Sequence, residues 1–149
     1  MLIVMVAVIS AATGWALIQW ADDSNDLLYV VDGIYMIDDK VFDCTGTGLC
    51  QDTEESTSET VLLMTFNILY ADDSGAVFKF IIQTSMVMNK EGPKRSLYNY
   101  MGESDKGEMI WSNINDKDGS FIYYIDERKV PVRVDMEVEG LMATATIDD

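Results

Sequence analysis

The first 21 residues, MLIVMVAVISAATGWALIQWA, carry no charged side chain, and the first charge is Asp22. A run of that length and composition needs a non-aqueous place of burial. As a helix it would span about 30 Å, the thickness of a bilayer core. Leu2, Ile3, Val4, Val6, Val8, Ile9, Trp15, Leu17 and Ile18 would then form an apolar assembly helix, with Trp20 suited to an interface. Three fates compete for it. A cleaved signal peptide would use Ser10 and Ala12 at its cleavage site but has no basic region ahead of it. A single transmembrane anchor and a helix packed among its own copies both surround the run with apolar matter, and hydropathy does not separate them.

The remainder is different in kind. Of 149 residues, 26 are acids and 10 are bases, a formal charge of −16. Such a balance argues against nucleic acid and against anionic lipid headgroups, both of which need clustered Lys and Arg. The chain has no His, which removes the commonest general base and the commonest neutral metal ligand. No Walker loop, GxSxG or HExxH pattern occurs, so no enzyme is expected. Asp22, Asp23 and Asp26 follow the apolar run and the first base is Lys40. The positive-inside rule therefore gives no reason to hold the rest of the chain in a cytoplasm.

Cys44 and Cys50 bracket TGTGL. With Gly46 and Gly48 between them they read as a local disulfide closing a pliable loop, in preference to a zinc site or a redox pair. A disulfide supports an oxidising, extracytoplasmic address.

Beyond the apolar run, turn signals recur and no second amphipathic helix is evident. Residues 27–37 read as strand or as an extension of the helix, and 51–60 as a polar surface loop. Residues 61–70 and 76–88 flank ADDSG and predict a hairpin. Both arms are nearly continuous in apolar residues, as expected of strands covered on both faces or lying at an interface. Residues 89–107 read as a long connection. A second hairpin is expected over 108–114 and 120–127. Residues 130–139 alternate without a break: Val130, Val132, Val134, Met136 and Val138 point one way, Pro131, Arg133, Asp135, Glu137 and Glu139 the other. LMATATI (141–147) closes the chain as a last strand. About seven strands after one long helix predict an apolar helix (1–26) followed by an all-β, Ig-like β-sandwich domain (27–149).

Asp116, Asp118, Ser120 and Glu127 fall at positions 1, 3, 5 and 12 of a calcium loop, but Phe121 stands where that loop requires Gly. A hairpin turn is the better account, with loose Ca²⁺ binding by Asp116 and Asp118 the one metal or cofactor expectation.

The stretch LIVMVAVISAA (2–12) resembles the N-terminal helix of archaeal archaellins and type IV pilin-like proteins, and the order of apolar helix then β-rich domain agrees with that group. The resemblance implies a structural subunit of an extracellular surface filament, membrane-inserted through its helix before assembly, with copies of itself as partners. The helices would pack in the core and the β-domains outside. The alternative is a single-pass accessory subunit of a larger membrane complex.

Overall fold

The computed structural model describes residues 26–54, 59–114, 117 and 119–148. They form ten strands: β1 (Leu27–Ile37), β2 (Lys40–Glu54), β3 (Thr60–Ala71), β4 (Val77–Asn89), β5 (Gly92–Pro93), β6 (Tyr98–Glu103), β7 (Met109–Asn113), β8 (Ser120–Ile125), β9 (Pro131–Val138) and β10 (Leu141–Ile147). All belong to one antiparallel sheet in the order β5-β4-β3-β2-β1-β10-β9-β8-β7-β6. The chain thus builds two five-stranded meanders, β1–β5 and β6–β10, and joins them where its first strand meets its last. Seven residue pairs make that seam, from Tyr29 opposite Ile147 to Tyr35 opposite Leu141.

The sheet twists and curls until its two outer strands come together, as long twisted sheets do when one face is strongly apolar. Tyr98, at the start of β6, reaches across to β4: its hydroxyl donates to the Ser85 carbonyl at 2.9 Å and accepts from the Val87 amide at 3.1 Å. The Lys94 amide donates to the Val87 carbonyl at 2.9 Å. The result is a nearly closed barrel. Period-two alternation sends Tyr29, Val31, Met64, Phe66, Ile68, Met86, Tyr123, Ile125, Val134, Leu141 and Ala145 inward, where each is almost fully buried. Side chains fill the interior. Inside it, the Tyr29 hydroxyl donates to the Pro131 carbonyl at 2.6 Å, and the hydroxyls of Thr84 and Tyr123 lie 2.8 Å apart.

Several expectations change. The described residues contain no helix, and none is long and apolar enough to cross a membrane. The described residues form a curled single sheet, not the expected two-sheet sandwich, and the expected helix over 1–26 falls, but for Asp26, outside them. The assembly-helix residues Leu2, Ile3, Val4, Val6, Val8, Ile9, Trp15, Leu17 and Ile18 lie outside the described residues. With no membrane-capable helix among the described residues, the cell-surface address built on membrane insertion loses its support, as do the transmembrane and pilin-like readings.

The hairpins β3–β4 and β7–β8 form as the turn signals predict, and β9 and β10 lie where alternation placed them. β9 has one exception. The register shifts between Tyr124 and Ile125 opposite it, so Pro131 turns inward and is fully buried while Val132 is only half-buried. Residues 89–107 are not all connection, because they supply β5 and β6. Residues 51–54 and 60 extend β2 and β3 instead of forming a loop.

The turn between β8 and β9 is held by Asp126. Its carboxylate accepts the Arg128 and Val130 amides, each at 3.0 Å, and the Arg128 side chain at 3.0 and 2.8 Å. Burial pushes this carboxyl up, but those donors outweigh it and hold it below the usual carboxylate range. A folded-state value below the unfolded one means stabilisation that is present above about pH 4 and lost as acid protonates the folded carboxylate. Asp126→Ala is therefore expected to cost about 1–2 kcal/mol at neutral pH, with the gap from the parent closing below about pH 4. Urea melts at both pH values measure this. Tyr98→Phe leaves the Ser85 carbonyl and the Val87 amide without their partner, at an expected cost of about 1–2 kcal/mol and with faster amide exchange at Val87.

Candidate interaction surface at the open edge

β3 and β4 are apolar along almost their whole length, yet the barrel covers only one face of each. On the inner face Met64, Phe66, Ile68 and Met86 are buried. On the outer face Leu69, Val77 and Ile81 are exposed, Ile81 to 60%. Of the two accounts of a doubly apolar strand, coverage on both faces fails within the described chain.

The edge of β4 is open as well. Beyond Ala71 opposite Val77, its inner neighbour β3 pairs with it continuously to Thr60 opposite Met88. On the other side β5 meets only Met88 and Asn89. The Lys94 and Tyr98 contacts show that Ser85 and Val87 direct their backbone groups outward, so Gln83, Ile81, Lys79 and Val77 do the same by alternation. Among the described residues nothing pairs with the outward N–H and C=O groups of Lys79, Ile81 and Gln83. A long unpaired apolar edge is a template for another strand unless charge, Pro or a bulge blocks it. Here Lys79 is the one charged residue along it.

The same strands carry a cluster of aromatic rings at one end of the barrel. Tyr35, Phe42, Tyr70, Phe78 and Phe80 come from the end of β1, the start of β2, the end of β3 and the start of β4. The Tyr70 ring lies 4.9 Å from Tyr35, 5.6 Å from Phe42, 5.2 Å from Phe78 and 5.5 Å from Phe80. These separations suit offset and edge packing. The rings close the end of the core but are not themselves covered: Phe78 is 45% exposed and the other four are half-buried. Two turns stand above them. One is Asp38–Asp39, both with positive φ, as a tight two-residue hairpin requires. The other is built on Asp72, whose carboxylate accepts from the Ser74 hydroxyl at 2.6 Å and the Ser74 and Ala76 amides at 2.9 and 3.0 Å. Lys40 joins the turns through an exposed 2.9 Å ion pair with Asp73.

Elsewhere, an open groove of about 720 Å³ runs along the outer face below Tyr124, Arg133, Arg128 and Glu108. Its arginines are already engaged. Arg133 lies 2.9 Å from Asp135 and stacks over the Tyr124 ring, and Arg128 is bound to Asp126. Asp135 also accepts from Thr144 and Tyr124. The Arg133–Asp135 pair, with Tyr124 and Thr144, is satisfied within the sheet and serves to hold β8, β9 and β10 together.

The residues singled out in the sequence fare unequally. Cys44 and Cys50 are both free, buried thiols, so the expected disulfide is absent. They lie six positions apart in the single strand β2, opposite Gly33 and Leu27. At about 3.3 Å per residue their Cα atoms are some 20 Å apart, beyond any disulfide. The glycines between them serve space, not a loop. A Cβ on Gly46 would collide with the Asn67 carbonyl of β3, and one on Gly48 with the Phe66 ring. Burial raises both thiols. For Cys50 the nearby Asp26 and Asp52 add to this, and the group is pushed up to about 12. Asp116 and Asp118 lie outside the described residues, and no group of three or more metal-ligating side chains occurs among the described residues. The β4 edge and the aromatic end went unrecognised as a site, although the doubly apolar strands were the signal for them.

No family model matches this chain, and no curated protein does. The chain is similar to a solved structure of a DUF1329 family protein from Desulfovibrio piger, at 10% identity over 90% of this chain and 88% of that one, with a TM-score of 0.31. A likeness at that level carries no argument about function.

Two protonated, buried thiols predict a clear outcome. The intact mass should not change on reduction. A thiol reagent at neutral pH should label neither cysteine in the folded chain and both in denaturant.

Proposed function

We propose that this chain is a structural subunit that works by association with other chains and not by catalysis, as a component of a filament or other assembly. The observation that carries the reading is the unpaired, apolar edge of β4, continuous with the half-exposed rings of Phe78 and Phe80. Backbone groups left open along Lys79–Gln83 offer a partner a ladder of hydrogen bonds, and the flanking apolar side chains offer burial at roughly 25 cal/mol per Å². An edge of this kind is a hazard to a monomer and an asset to a subunit.

The interior supports the same reading. A barrel filled by Tyr29, Phe66, Met64, Tyr123 and Ile125 leaves its outer surface to meet whatever the protein meets. The formal charge of −16 keeps such assemblies dispersed and confines contact to the surfaces that lack acids.

Light scattering and electron microscopy of the purified full-length chain test this. The expected result is a species larger than one chain, alone or with a co-purifying subunit. A chain that stays monomeric, with no co-purifying partner, would overturn the reading.

A further inference from the structure

We propose that β4 of one chain pairs antiparallel with β4 of a second copy, about a twofold axis at Ile81. This rests on the associative role proposed above and names its partner.

Electrostatics selects the surface. Two copies of a chain with a formal charge of −16 repel each other almost everywhere. Val77–Asn89 reads VFKFIIQTSMVMN, which contains no carboxylate and a single base, Lys79. Two copies can approach along this strand without setting acid against acid within the new ladder.

Geometry selects the register. The outward backbone groups belong to the odd-numbered residues, so odd residues must face odd residues across the new ladder. With the axis at Ile81, the Ile81 side chain meets its own copy, Lys79 faces Gln83, and Phe80 faces Ile82. Ile81, 60% exposed in the single chain, becomes covered from the side, and the two lysines lie at opposite ends of the pairing. An axis at Phe80 would instead bring the two Lys79 side chains onto diagonal positions of one face. The pairing is isologous, so it closes as a dimer. Phe78 and Phe80 of each copy lie along the junction, extending its apolar contact toward the aromatic end.

The test uses the full-length chain. Sedimentation over roughly a hundredfold range of concentration should show a reversible dimer. Ile81→Lys places two charges face to face at the axis and should weaken dimerisation at least ~10-fold. Leu69→Lys, on the exposed face of the neighbouring strand β3, should not weaken it. Ile81→Cys should form a disulfide-linked dimer on mild oxidation, and Gln83→Cys alone should not. If the parent chain dimerises but Ile81→Lys dimerises equally well, or Ile81→Cys fails to cross-link, the β4 pairing is wrong while the associative role stands. A parent chain that is monomeric throughout, with no co-purifying partner, removes both.

Discussion

The barrel depends on the pairing of its first strand with its last. Every other ladder in the sheet joins strands adjacent in sequence. The β1–β10 ladder alone welds the two meanders into one sheet, and without it neither half has a way to cover its apolar face. Its chemistry is suited to close contact. Ala143 and Ala145 present small buried side chains beside Val31 and Gly33 of β1. The Tyr29 hydroxyl then ties β1 to the start of β9, 102 residues away in sequence. Once that weld is made, curvature brings the far edges of the sheet face to face and Tyr98 latches them.

The latch is partial, and the surface chemistry follows from that. Tyr98 and Lys94 satisfy β4 at Ser85 and Val87, leaving the stretch toward Val77 open. Along that stretch the protein displays apolar side chains and unpaired backbone together. Its other polar clusters behave in the opposite way: the Arg133–Asp135–Tyr124–Thr144 group and the Asp126 turn close on themselves and offer little to a ligand.

Much of the strand inventory was legible in the sequence, because alternation and turn chemistry are local. The turn built on Asp72, Ser74 and Gly75 announces the β3–β4 hairpin, and Val134 and Met136 announce the buried face of β9. Fold class was not legible. A sandwich and a barrel share the same strand pattern and differ in one long-range pairing that leaves no local mark. The cysteines misled for a related reason. Gly46 and Gly48 read as loop formers, whereas each is small because a carbonyl or a ring of β3 occupies the space a side chain would need. The candidate site was half legible: the excess of apolar residues in 61–88 exceeds what one covered face needs, but which edge stays unpaired is a property of the whole sheet.

Closing a sheet through its first and last strands has a consequence for synthesis. Strands β1 to β5 leave the ribosome before any part of the second meander exists, so β1 waits with its outer side vacant until β10 arrives. Loop-closure entropy makes such distant pairing slow. During that interval the nascent chain exposes two bare flanks instead of one. The newborn polypeptide therefore meets its greatest risk of sticking to the wrong neighbour before its final strand is made, and cellular holding factors have most to protect at that stage.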